Sequence, residues 1–104
     1  MFAKTFFQAA KAATVPQGTA VSVSLKGHTI ALFNIDGSIY AIDDKCPYDG
    51  GSLSQGNIQG KTVRCPDHGS RFDLKTGNLM EPPSKDPINR YETRVQDGII
   101  EIAL

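Results

Sequence analysis

"CPDHGSRFD", residues 65–73, is the stretch on which the reading of this chain turns. It opens on Cys65-Pro66, places His68 three positions after the cysteine, and turns at Gly69 into a short alternating run. A second stretch, "CPYDGGSL" at 46–53, opens on the same Cys-Pro and turns at Gly50-Gly51. Loops that bind a metal need tight turns, so that backbone amides and ligand side chains converge, and proline and glycine supply them. Thiolates and a neutral imidazole are the ligand set for zinc or for an iron–sulfur cluster. Taken one at a time, Cys46 and Cys65 read equally well as small core residues, and His68 as a surface residue. Two Cys-Pro loops in one chain, with residues 47–64 between the cysteines, need a common explanation.

The rest of the chain sets the frame for those loops. At 104 residues it has the size of one domain, with 39% hydrophobic and 21% charged residues, as in a globular protein that neither spans a membrane nor stays disordered. Net charge is zero and the basic residues form no run, so no field recruits nucleic acid. No apolar run is long enough for a signal core or a transmembrane helix. The first acid is Asp36, yet the acid-free N-terminus has no arginine, which argues against a transit peptide and for a cytoplasmic protein. Two cysteines are too few for a disulfide scaffold.

Short alternating runs broken by Gly, Pro and Asp indicate an all-β protein. "TAVSVSL" (19–25) and "HTIALFNI" (28–35) flank a turn at Lys26-Gly27. Asp36-Gly37 leads into "SIYAID" (38–43), and Asp97-Gly98 joins "RYETRV" (90–95) to "IIEIAL" (99–104), both with the two-residue loops favoured in hairpins. "NIQGKTVRC" (57–65) reads as two short strands around Gln59-Gly60, and "MEPPSKDP" (80–87) as a proline-rich loop. The N-terminal "KTFFQAA" is read as a strand followed by a short helical turn.

With the two boxes in place, the chain resembles the Rieske iron–sulfur family, whose signature is Cys-x-His, a spacer, then Cys-x-x-His. Cys46 and Cys65 stand at the cysteine positions and His68 at the second histidine position. "GGSLSQGNI" (50–58), "HGSRFDLKTGNL" (68–79) and "INRYETRVQDGIIEI" (88–102) are similar to the flanking segments, so the resemblance covers at least residues 18–103. It implies a Rieske fold over one domain, 1–104: an antiparallel β sandwich or small barrel with an inserted cluster-binding lobe at about 44–80. It implies a [2Fe-2S] cluster with Cys46, Cys65 and His68 as metal ligands, and Ser70 hydrogen-bonding a bridging sulfide from outside the ligand set.

The first histidine position holds Tyr48. A phenolate could ligate there, although its oxygen lies across the whole ring. Water or the shorter Asp49 carboxylate could take the place instead. Alternatively no cluster assembles, and the site is empty, holds a single metal ion, or closes as a disulfide. Tyr48 could also simply pack over a vacated site. The extra disulfide of high-potential family members would fall on Gly51 and Asp67, and Phe72 lacks the hydroxyl some members carry there. Both features point to the lower part of the family's range of roughly −150 to +300 mV.

The function implied is that of a small ferredoxin, an electron carrier and not an enzyme, serving a reductase and a terminal oxygenase. The alternative is a clusterless module like the small subunit of some nitrite reductases. His28 reads as a structural or surface residue, and Asp49 and Asp67 as turn residues or as an acidic rim for a basic partner.

Overall fold

Three two-residue turns set most of the architecture. Lys26-Gly27, Asp36-Gly37 and Asp97-Gly98 all have positive φ at both positions, the type I′ geometry whose twist matches antiparallel strands. A computed structural model describes residues 5–48, 50–67 and 69–104. In it β2 (Ala20–Leu25), β3 (His28–Ile35) and β4 (Ser38–Asp43) form a meander that is completed by β9 (Arg90–Tyr91) beside β4. A second sheet has the order β1 (Phe6–Lys11), β11 (Ile99–Ala103), β10 (Thr93–Gln96). The third consists of β5 (Asn57–Gln59), β6 (Thr62–Arg64), β7 (Arg71–Asp73) and β8 (Leu79–Glu81), in sequential order. All the pairings are antiparallel, and no α-helix occurs among the described residues. None is therefore long and apolar enough to cross a membrane.

Strand β3 is buried on both faces, and this decides where the core lies. Ile30 and Leu32 point one way, joining Ala41, Ile100, Ile102 and Val15 between the meander and the terminal sheet. Ala31, Phe33 and Ile35 point the other way, toward Leu53, Val63, Phe72, Leu74 and Ile88. Successive strand residues face opposite sides, so one apolar run serves two cores. The second core fastens the sheet of residues 57–81 onto the rest of the chain. Fully burying a side chain such as Phe72 or Leu53 contributes about 1.5–3 kcal/mol.

The N-terminal expectation holds: a strand, then a 3₁₀ turn at Ala12–Thr14. Two local differences have physical reasons. "RYETRV" is two strands in two sheets, because Glu92 leaves the meander and its carbonyl accepts Ala103 N–H at 2.9 Å in the other sheet. Met80 and Glu81 belong to β8, and the irregular segment begins only at Pro82, where the proline nitrogens have no proton to donate.

Candidate metal centre

Both Cys-Pro loops close with the same hydrogen bonds. In the first, Cys46 N–H donates to Gly51 O (2.8 Å) and Gly50 N–H to Cys46 O (2.9 Å). In the second, Cys65 N–H donates to Ser70 O (2.7 Å) and Gly69 N–H to Cys65 O (3.2 Å). Each loop places proline one residue after the cysteine and glycine four after it, at φ +79° for Gly50 and +86° for Gly69. The positive φ is what lets the chain return within five residues, and a side chain there would strain it. Each cysteine consequently sits at the buried end of its loop, 2% exposed, while Pro47, Tyr48, Pro66 and Asp67 form exposed tips. Cys46 and Cys65 belong to one buried cluster, with Val63, Phe72 and Ile88.

Groups outside the motif hold the loops. Asp44, 6% exposed, accepts from Ser22 Oγ (3.0 Å), Ser52 Oγ (2.7 Å) and Ser54 N–H (2.7 Å). Burial alone would raise its pKa, but the hydrogen bonds from Ser52, Ser54 and Ser22 outweigh that and bring it below the ordinary carboxylate value. Its backbone also accepts Leu53 N–H at 2.7 Å, and Lys45 bridges Ser52, so the first loop is clamped at its base. Ser70 is fully buried, and its Oγ accepts Ser84 N–H at 2.9 Å, tying the second loop to residues 82–88. Arg64 donates through Nη1 to Gly69 O at 2.9 Å. A cleft of about 450 Å³ separates Cys46, Pro47 and Gly50 from Pro87, Ile88 and Asn89.

Of the residues assigned to the centre from the sequence, Cys46, Cys65, Tyr48 and Ser70 lie among the described residues. His68 and Asp49 lie outside the described residues. Tyr48 has 57% of its surface exposed and belongs to neither core cluster. Among the described residues no three His, Cys, Asp or Glu side chains converge. His28 is on the surface, edge-on to Tyr91 with ring centres 5.9 Å apart. Tyr91 in turn donates to Asp43 at 2.5 Å, and burial and that carboxylate together push its pKa well above its ordinary value. Asp44, Arg64, Glu81 and Ser84 carried no signal in the sequence, since each acts through a partner distant along the chain.

A family model for the Rieske [2Fe-2S] domain matches residues 5–92. The chain belongs to the Rieske family. It is 41% identical over 93 residues to the 3-phenylpropionate/cinnamic acid dioxygenase ferredoxin subunit of Escherichia coli K12, spanning 88% of this chain and 87% of that one. Its structure matches a chain in the complex of reduced oxygenase and oxidized ferredoxin of carbazole 1,9a-dioxygenase, with TM-score 0.87 and 27% identity over 97% and 94% of the two chains. It also matches a putative NADH-dependent nitrite reductase small subunit from Mycobacterium tuberculosis, with TM-score 0.88 and 26% identity over 99% and 97%. The Rieske fold is thus common to both functional classes, and sequence identity is higher on the ferredoxin side. The donors at the buried ends of two matching loops, a pair of thiols from Cys46 and Cys65, suit the cysteine-held iron of a Rieske centre. The donor set departs from the family at position 48.

Proposed function

We propose that this Rieske chain is the ferredoxin of a multicomponent oxygenase: a soluble, cytoplasmic electron carrier that takes one electron at a time from a reductase and passes it to a terminal oxygenase. The observation that carries this reading is the shape of the two loops. Each keeps its cysteine buried and its tip exposed, so a centre held between them is shielded from solvent yet within reach of a docking partner. The carrier is one domain over residues 1–104, and its lobe, about 44–80, exists to present these loops.

Within this reading Cys46 and Cys65 hold one iron and His68 holds the other. The fourth place is taken by the Tyr48 phenolate, the Asp49 carboxylate or water. The bound [2Fe-2S] cluster supplies a one-electron redox couple. The protein's own residues do the rest. Asp44 fixes the base of the first loop, and Ser70 ties the second to residues 82–88 through Ser84. With the phenolate or the carboxylate in that place, the added negative charge opposes reduction and lowers the potential within the family's range. The chain carries out no catalysis on a substrate.

The fold likeness to a nitrite reductase small subunit supports a second reading, a clusterless interaction module. Single-turnover mixing separates the two. The carrier is reduced by a dioxygenase reductase and reoxidised by an oxygenase, with matching changes in visible absorbance. A protein with no visible chromophore, or one that the reductase leaves oxidised, is not this carrier.

A further inference from the structure

Arg64, Arg71 and Glu81 line up across three strands: Arg64 pairs with Arg71, and Arg71 with Glu81. Paired residues of neighbouring strands share a face, so two guanidiniums and one carboxylate meet there. Arg64 Nη2 lies 2.5 Å from Glu81 Oε2, and Arg71 Nε 3.0 Å from the same oxygen. The other arm of Arg64, Nη1, donates to the Gly69 carbonyl inside the second ligand loop. One planar fork therefore joins the loop after Cys65 to the strand that feeds residues 82–88. The Ser84 to Ser70 hydrogen bond makes the same connection on the buried side.

Global stability is a poor account of this arrangement. The Arg64 and Glu81 side chains are 35% and 40% exposed, and exposed ion pairs contribute little. What the pair does fix is the position of one carbonyl within a ligand loop. It also leaves an excess of one positive charge within this three-residue group, two arginines against one glutamate, beside that loop.

We propose that Arg64, oriented by Glu81, is a positioning residue for the second ligand loop, and that the excess positive charge of the arginine pair raises the reduction potential of the centre held there. This rests on the carrier reading above. Reduction adds negative charge, which a nearby cation favours. A carbonyl that accepts a charged hydrogen bond also polarises its peptide, which strengthens the Ser70 N–H as a donor. Local charge and hydrogen bonding are both established controls on iron–sulfur potentials.

The test compares wild type with Arg64→Gln, Arg64→Lys and Glu81→Gln, by redox titration, by the rate of cluster loss, and by amide hydrogen exchange at Cys65 and Gly69 in the apoprotein. Arg64→Gln should lower the potential and speed cluster loss roughly 10–100-fold, the usual cost of removing an outer partner of a metal site. Glu81→Gln should also speed loss yet raise the potential, because it removes a negative charge and leaves both arginines. Arg64→Lys keeps the charge without the two-ended fork, so it should hold the potential near wild type and still lose cluster fast. Added salt should shrink the potential shifts. The proposal is overturned if Arg64→Gln and Glu81→Gln move the potential in the same direction, or if neither changes the rate of loss. If wild type holds no iron, the carrier reading falls, and exchange alone decides the tether. Faster exchange at Cys65 and Gly69 in Arg64→Gln supports the positioning role, and unchanged exchange rejects it.

Discussion

Replacing Asp44 with alanine should destabilise the protein and loosen its first ligand loop together. The carboxylate is almost fully buried and accepts three hydrogen bonds, two from serine hydroxyls and one from a backbone amide. Hydrogen bonds to a charged group contribute about 1.5–3 kcal/mol each, from which the cost of burying the charge must be subtracted. After the change Ser52 and Ser54 can still pair through their hydroxyls, 3.0 Å apart. The Ser54 N–H cannot be rescued in that way, and a buried unsatisfied amide costs about 1–3 kcal/mol. The net loss should be about 2–4 kcal/mol, and about half that for Asp44→Asn, which keeps an acceptor for Ser54 N–H. At about 4–8 °C per kcal/mol for a domain near this size, the melting temperature of the alanine variant should fall by on the order of 10 °C or more. Urea unfolding at neutral pH measures the free energy, and iron release measured in parallel follows the loop. An alanine variant within about 0.5 kcal/mol of wild type would show that Asp44 does not clamp the loop.

Restoring histidine at position 48, Tyr48→His, should raise both the reduction potential and the iron content, as read by redox titration and iron analysis. Equal values in the two proteins would mean that position 48 never touches the metal. Cys65→Ser should bleach the protein, because the harder oxygen holds iron poorly, and unchanged visible absorption would remove Cys65 from the ligand set. Tyr91 has a folded-state pKa raised above the ordinary 10.0, so its contribution is complete below pH 10 and declines as pH rises from there toward the folded-state value. Tyr91→Phe should abolish that alkaline loss of stability in denaturation curves taken across the range, and an unchanged slope would refute the assignment.

The parts of the fold that were legible in the sequence are those set by neighbours along the chain. Lys26-Gly27, Asp36-Gly37 and Asp97-Gly98 specify their turns locally, and the strands on either side alternate long enough to be seen. A strand of three residues such as β8 is too short to show a period, and the packing of Leu79 against the buried cluster that includes Phe33 and Ile42 defines it. The split at Glu92 depends on a bond to Ala103, which no local pattern announces. The cysteines were legible because Cys-Pro and glycine at fixed spacing build a closed loop by themselves. Their supports were not. Asp44 meets Ser22 across 22 positions and Arg64 meets Glu81 across 17, contacts that exist only once the sheets have formed.

In the proposed carrier Cys46, Cys65 and His68 hold the cluster despite a tyrosine at the fourth ligand position. The most direct test is the iron and acid-labile sulfide content of anaerobically purified wild-type protein, read beside its visible spectrum. The expected result is a red-brown protein with iron and sulfide in equal amounts, two of each per chain, as the [2Fe-2S] formula requires. A colourless, folded protein without iron or sulfide would contradict the carrier and leave a Rieske fold used as an interaction module.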